Sequence, residues 1–217
     1  MKNYKVLLLM WYIILSCFYV QAQNYVETQY GKLYCKGMVD LGLSVKWAAC
    51  NLGGNYPEDC CNYYAWGEME TKKSYSEENS LCYNKNIFEL RKDGIIDENN
   101  NLTAKYDVAT QKLGSAYRMP TSAEQQELID NCTWIWGDYK ESLGYYVVGK
   151  NGNCIFLSAD GYRYGTDLYY VFEGLYWSST LNADTNFLAY CLYFSSRDSY
   201  VGYNKVYVGK CVRPVSE

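Results

Sequence analysis

Apolar and polar residues alternate between Met38 and Ala48, in the stretch MVDLGLSVKWA. A period of two is typical of a strand that buries one face of a sheet. Gly42 and Ser44 could also fold this stretch into a tight hairpin. The pattern leaves both alternatives open.

The clearest helix is predicted for residues 121–131, TSAEQQELIDN. Thr121 can accept a backbone N–H bond at the start of the helix, while Glu124 reaches back to the cap. A second, shorter helix is predicted for Asp107–Leu113.

Several short strands are predicted after the second helix. Tyr145–Val148 and Cys154–Leu157 flank Asn151-Gly152, which tolerates the positive φ of a hairpin turn. Further strands are predicted around Tyr176–Ser178, Ala189–Phe194 and Val206–Val215. Two short helices with many short, mostly antiparallel strands indicate an α+β fold.

Residues 70–105 are polar and poor in apolar side chains. Asp93-Gly94 and Asn99-Asn100-Asn101 mark turns within them. This segment is predicted to be a loop or an insertion.

The N-terminal segment has the layout of a secretory signal peptide. Lys2 and Lys5 precede an apolar run that ends near Val20, and Ala22 supplies a small residue for cleavage. We expect a signal peptide over 1–22 and a lead-in over 23–37. The alternatives are an uncleaved anchor and a lipid anchor at Cys17. Export would take the chain to the periplasm, the outer membrane surface or the medium.

Charge disfavours one class of partner. The chain carries a net charge of −4, which becomes −6 when Lys2 and Lys5 leave with the signal peptide. Nucleic acid would require a clustered basic surface, so we expect no nucleic-acid partner. The remaining residues are enough for one domain, and no transmembrane span is expected after signal cleavage.

Cysteine and histidine usage bears on metals. Nine cysteines follow Cys17, so an exported chain would leave at least one without a partner inside the chain. The chain has no histidine and no C-x-x-C pair, and zinc needs ligands at close, patterned spacing. We expect no metal and no cofactor.

Six motifs resemble one known family. VDLGLSVKWAACNLG, YYAWGE, YRMPTSAEQQELIDNCTW, NGNCIFLSADGYRYG, YWSST and VRPV occur in this order over residues 38–215. Together they resemble the domain family named for the major paralogous domain of Fibrobacter succinogenes. The resemblance implies an exported domain over 38–217 with a C-type lectin-like fold, related to formylglycine-generating enzymes and to the variable target proteins of diversity-generating retroelements.

The relatives' own chemistry is not matched. The Glu-Pro-Asn, Gln-Pro-Asp and Trp-Asn-Asp triplets of calcium-dependent lectins are absent from the chain. Cys191 and Cys211 lie where formylglycine-generating enzymes hold copper, but their surroundings differ. We therefore expect neither a calcium-dependent sugar site nor the copper chemistry.

Catalysis has little support in the sequence. The lack of histidine removes the commonest general base. Paired carboxylates could still hydrolyse a glycoside, with Asp40, Glu68, Asp160 and Asp167 as candidates. We expect no enzyme, and rank a carboxylate-based hydrolase below both non-catalytic functions.

The C-terminal region favours recognition. Tyrosine gives a large contact area for two side-chain torsions, and with Ser and Asn it forms an adaptable binding surface. The resemblance to retroelement target proteins implies a ligand-binding surface formed by Asn182, Asp184, Asn186, Tyr190, Tyr193, Ser195, Arg197, Asp198, Tyr200, Tyr203, Asn204 and Tyr207. Strand alternation predicts that Leu192 and Phe194 point inward and that Tyr193 and Ser195 point outward.

We therefore expect a domain that binds a protein or a glycan. The alternative is a structural component of the cell envelope or of a surface assembly. About half of the tail tyrosines would then be ordinary strand residues packed against neighbours. In either case Arg118 and Arg213 are predicted to pair with buried carboxylates or carbonyls.

Overall fold

The computed structural model describes residues 24–185 and 187–217. It is a mixed α+β structure, mostly strands, with three short helices and several small sheets. The helices are α1 (Ile87–Lys92), α2 (Val108–Leu113) and α3 (Ser122–Asn131). The strands are β1 (Tyr25–Thr28), β2 (Gly31–Tyr34), β3 (Met38–Val39), β4 (Lys46–Ala48), β5 (Thr133–Tyr139), β6 (Ser142–Val148), β7 (Asn153–Ser158), β8 (Tyr162–Tyr164), β9 (Asp167–Tyr169), β10 (Gly174–Leu181), β11 (Leu188–Phe194), β12 (Ser199–Lys205) and β13 (Val215–Ser216). Segment 1–22, with the predicted cleavage site and Cys17, lies outside the described residues.

The strands form four small sheets. The largest has the order β1-β2-β7-β6-β5, and the others are β10-β11-β12, β13-β4-β3 and β8-β9. Pairing is antiparallel except between β2 and β7. The prediction of mostly antiparallel strands is confirmed. β13 joins β4, so the C-terminal strand pairs with residues near position 47.

Local sequence signals placed two helices and one hairpin correctly. In α3, Thr121 accepts from the Glu124 backbone N–H at 3.2 Å, and the Glu124 carboxylate accepts from the Thr121 N–H at 2.8 Å. The predicted shorter helix is α2, capped by Asp107. β6 and β7 form the predicted hairpin. Residues 38–48 form a hairpin through β3 and β4, which resolves the open alternative.

Segment 70–105 contains a helix that the sequence reading missed. Asn86 and Glu89 form a capping box at the start of α1, and Leu90 is buried. Ile95, Ile96 and Leu102 pack in the same apolar cluster. The expectation of two helices is therefore wrong, because a short helix with one buried residue gives too little apolar periodicity to detect.

The C-terminal region differs from the prediction in the position of its third strand. The third strand is Ser199–Lys205, whereas Val206–Val212 is a buried segment outside the sheet. Its backbone makes isolated bridges, Lys210 with Tyr64 and Cys211 with Tyr176. The predicted strand over Val206–Val215 is therefore wrong except at its last residue. A segment that is buried on all sides is apolar whether or not its backbone pairs with a neighbouring strand, so the apolar run alone could not show a strand.

Two apolar clusters pack on opposite faces of β10. Tyr176 belongs to the cluster that contains Trp47, Leu192 and Phe194. Trp177, the next residue, belongs to the cluster that contains Trp66. Since successive strand residues point to opposite faces, β10 is covered on both sides.

Arg213 is a buried cation at the junction of several segments, with 1% exposure. Its guanidinium donates to the carbonyls of Ala48 at 3.0 Å, Ala49 at 2.6 Å and Phe156 at 2.6 Å. Its Nε donates to Asn51 Oδ1 at 3.0 Å. The prediction that Arg213 pairs with buried carbonyls is confirmed, and the planar fork is what allows one side chain to serve four acceptors.

Arg118 makes the other predicted type of contact. It pairs with the carboxylate of Glu124 at 2.7 Å and with that of Glu217 at 2.8 Å. Glu124 is largely buried, and Glu217 is exposed. The ion pair therefore ties the start of α3 to the C terminus.

A disulfide joins Cys61 to Cys211, 150 positions apart. Closing a loop of this length restricts the unfolded chain, a contribution of up to about 5 kcal/mol on the chain-entropy estimate. Seven other cysteines in the described part are free thiols. The odd count after Cys17 is consistent with this arrangement.

Replacing Arg213 by Lys should destabilise the protein by about 2–4 kcal/mol, because one ammonium cannot reach all four acceptors and buried carbonyls lose their partners. Denaturant unfolding monitored by tryptophan fluorescence measures the change. The control is Arg91→Lys, at an exposed arginine that donates to Asn100 Oδ1, where a change below about 1 kcal/mol is expected. Equal effects of the two substitutions would contradict the role of Arg213.

Candidate ligand-binding surface

The predicted surface centres on β11 and β12. Leu192 and Phe194 are buried, as predicted, and Tyr193 points to the opposite face and is half-buried. In the β11-β12 pairing, Tyr193 lies opposite Tyr200, and their ring centroids are 4.8 Å apart. Tyr190 lies opposite Tyr203, and those centroids are 6.3 Å apart. Cross-strand aromatic pairs of this kind stabilise a sheet while leaving ring surface available.

The twelve predicted residues differ in exposure. Five are exposed: Asp184, Arg197, Asp198, Tyr200 and Tyr203. Four are half-buried: Tyr190, Tyr193, Ser195 and Asn204. Asn182 and Tyr207 are buried, and Asn186 lies outside the described residues.

Asn182 and Tyr207 are not on the surface as predicted. The Asn182 side-chain oxygen accepts from the Asp184 N–H at 2.9 Å, so it shapes the turn after β10. The Tyr207 ring packs edge-on against Tyr83 at 5.1 Å and also lies 5.9 Å from Tyr164. The Tyr207 ring is covered by Tyr83, from the segment before α1, and by Tyr164 of β8.

Strand alternation divides the remaining tyrosines between two faces. Tyr193 and Tyr200 lie on one face of the sheet, and Tyr190 and Tyr203 lie on the other, together with buried Leu192 and Phe194. The predicted set therefore does not form one continuous surface. The Tyr193–Tyr200 face is the one that opens onto a cavity.

The tip of the β11–β12 hairpin is held by short polar contacts. Ser195 Oγ donates to Asp198 Oδ1 at 2.6 Å and accepts from the Arg197 N–H at 3.2 Å. The Ser195 N–H donates to the Asp198 carbonyl at 2.9 Å. Ser195 and Asp198 thus order the tip, and Arg197 is exposed at it.

A cavity of about 670 Å³ lies beside the Tyr193–Tyr200 pair. Its lining is aromatic and polar, and consists of Tyr162, Tyr170, Glu173, Leu175, Cys191, Tyr193, Tyr200, Val201, Gly202, Tyr203 and Asn204. Four of these, Tyr193, Tyr200, Tyr203 and Asn204, were in the predicted set. This volume is in the range of small-ligand sites.

Sequence reasoning missed the opposite wall of this cavity. Tyr162, Tyr170 and Glu173 come from the β8-β9 ribbon and the loop after it. The sequence feature that marks this wall is the apolar run LYYVF at 168–172. All five of its residues are exposed, Tyr170 by 58% and Phe172 by 65%. An apolar run with no polar alternation suggests a core strand, and only the tertiary structure shows that it faces solvent.

Carboxylates give the tyrosine pair a negative environment. Burial raises the pKa of Tyr193, and the nearby Glu173 carboxylate raises it further. Burial also raises the pKa of Tyr200, with Asp198 and Glu173 adding to the shift. The phenols therefore stay neutral at physiological pH beside charged acids.

Lys210 is a fully buried amine next to this cavity. Its Nζ has no hydrogen-bond partner and lies 4.7 Å from the centroid of the Tyr162 ring and 5.0 Å from that of Trp177. Burial lowers the pKa of Lys210 to about 8. The two rings partly replace the water that the ammonium lost.

The candidate catalytic carboxylates have separate structural roles. Asp40 accepts from the Gly42 N–H at 2.7 Å. Glu68 pairs with Lys72 at 2.5 Å. Asp160 accepts from Ser158 Oγ at 2.6 Å, and burial raises the pKa of Asp160. Asp167 is exposed on β9.

In the described part of the chain, one group of three side chains could hold a metal ion, Cys61, Asp160 and Cys211. Both cysteines are in the disulfide, so they offer no thiolate. Cys211 therefore has no free thiol to bind a metal, and Cys191 is a separate, buried free thiol. Among the same residues, no helix has the length and apolar character that crossing a bilayer requires.

Replacing Lys210 by Met should stabilise the protein at pH 7 by up to about 3 kcal/mol, because the folded state binds the Lys210 proton less tightly than the unfolded state. The unfolded amine titrates near 10.5 and the folded amine near 8. Wild-type stability should therefore rise relative to the variant between these pH values, and the difference should vanish above about pH 10.5.

Thermal unfolding of both proteins between pH 6 and 10.5 measures this difference. Lys73→Met, at an exposed lysine, is the control and should show no such trend. A pH-independent difference between wild type and Lys210→Met would contradict the burial of a charged amine.

No family model matches the chain, and neither a curated protein nor a solved structure matches it.

Proposed function

We propose that this chain is an exported, non-enzymatic binding domain that presents tyrosine, serine and asparagine side chains to a protein or a glycan. The observation that carries the proposal is the cavity beside Tyr193 and Tyr200. Its aromatic rings offer stacking surface, and their hydroxyls and Asn204 offer hydrogen bonds. Most of the lining residues come from the β11-β12 hairpin, which is anchored to the core by Leu192 and Phe194, and this limits the entropy lost on binding.

Membership of the major paralogous domain family and a C-type lectin-like fold are part of this proposal. They rest on the six motifs over 38–215 and are compatible with the α+β arrangement. The proposal that the chain is exported rests on the N-terminal segment. The Cys61–Cys211 disulfide is compatible with export.

A structural role in an envelope assembly is the second candidate. The exposed apolar run at 168–172 favours it, since contiguous exposed apolar residues are typical of contact surfaces. This role would not need the cavity.

Replacing Tyr193 and Tyr200 together by Ala should abolish binding to a ligand identified on protein and glycan arrays. The variant should still fold, with a loss of about 1–2 kcal/mol for the cross-strand pair and its partial burial. Array binding and thermal unfolding measure the two effects.

The matched control replaces Tyr190 by Ala, because Tyr190 lies on the opposite face of β11 and is not one of the residues that line the cavity. This control should retain binding. The proposed surface would be contradicted if the control lost binding while the Tyr193→Ala/Tyr200→Ala variant kept it. If the arrays gave no ligand at all, the structural role would be favoured.

A further inference from the structure

We propose that the cavity beside Tyr193 and Tyr200 binds an organic cation, such as a quaternary or alkylated ammonium group carried by the ligand. This inference rests on the proposed recognition function and specifies the chemical group that the cavity takes.

Five of the eleven residues that line the cavity are tyrosines. Tyr193 and Tyr200 lie 4.8 Å apart by ring centroids, at a tilt of 36°. Tyr170, 58% exposed, comes from the opposite wall. The negative face of a tyrosine ring attracts a cation that has already lost part of its hydration.

The charge of the lining has a single sign. Among the residues that the structure describes, Glu173 is the one charged residue that lines the cavity, and no lysine or arginine lines it. Asp198 lies close enough to raise the pKa of both Tyr193 and Tyr200, after the larger effect of burial. The acids add a Coulombic attraction for a cation and oppose an anionic ligand.

Lys210 limits which rings are available. Its Nζ is 4.7 Å from the Tyr162 centroid, so that ring already has a cation. A second cation would be repelled there, which places the ligand's charge toward Tyr170, Tyr193 and Tyr200, near Glu173. Lys210 is fully buried and is not one of the residues that line the cavity.

An ammonium with methyl groups suits this space better than a sugar alone. Methyl groups spread the positive charge and lower the cost of dehydration, so the ring faces can replace water. A neutral sugar could stack on the rings and donate a hydroxyl to Glu173, but it would gain no charge–charge attraction from that carboxylate. The charge of the lining therefore distinguishes the two ligand classes.

Choline and its neutral isostere 3,3-dimethylbutan-1-ol form a matched pair of probes, because they differ by one charged nitrogen. We expect choline to bind the protein saturably, with a dissociation constant on the order of 1 mM, and the isostere to bind at least tenfold more weakly. An NMR titration that follows the methyl signal of each probe measures both constants.

Substitutions separate charge from ring contributions. Glu173→Gln should weaken choline binding about tenfold, whereas Glu78→Gln, at an exposed acid outside the cavity lining, should leave it unchanged. Tyr200→Leu should weaken it about three- to fivefold and Tyr200→Phe less than twofold, because the phenyl ring keeps its quadrupole.

Equal binding of the two probes, or no binding of either, would overturn this inference. Array binding that depends on Tyr193 and Tyr200 would still support the recognition function in that case. Choline binding that is unaffected by Glu173→Gln and Tyr200→Leu would place the cation elsewhere and overturn the assignment of the cavity.

Discussion

The buried guanidinium of Arg213 is the constraint on which the rest of the structure depends. A buried guanidinium is costly unless its donors find acceptors, and here the acceptors come from Ala48, Ala49, Asn51 and Phe156. The chain must therefore bring β4, β7 and the C-terminal segment together in one arrangement. The Asn51 side-chain amide also donates to Ser158 Oγ at 3.0 Å. The backbone carbonyl of Ser158 in turn accepts from the Tyr176 hydroxyl at 2.8 Å. This network extends from the central cation to β10, the first strand of the sheet that carries the candidate surface.

Anchoring of that sheet explains how a tyrosine-rich surface can be rigid. One face of β11 contributes Leu192 and Phe194 to the core, so the strand cannot move without opening a cavity there. The other face holds Tyr193 at the edge of the ligand cavity, opposite residues from the ribbon and its loop. A surface fixed in advance loses less entropy on binding than a flexible loop. Packing on the far side of the same strand thus supports the proposed binding surface.

The sequence predicted features that local rules determine. Thr121 and Glu124 sit three residues apart, so their capping box could be identified without any tertiary contact. Alternation correctly divided Leu192 from Tyr193. Burial of Tyr207 could not be predicted, because its neighbour Tyr83 is 124 positions away in the chain. The cavity was missed for the same reason, since its two walls come from segments whose pairing no periodicity shows. The family resemblance and the binding function stay proposals.

Hydroxyl-radical footprinting of the free protein, read by mass spectrometry at each tyrosine, tests the central claim most directly. The account predicts rapid oxidation of Tyr170 and Tyr200 and strong protection of Tyr176 and Tyr207, which have 1% and 2% exposure. Protection of Tyr200 equal to that of Tyr176 would contradict it, because the phenols would then belong to the core and no tyrosine surface would face solvent.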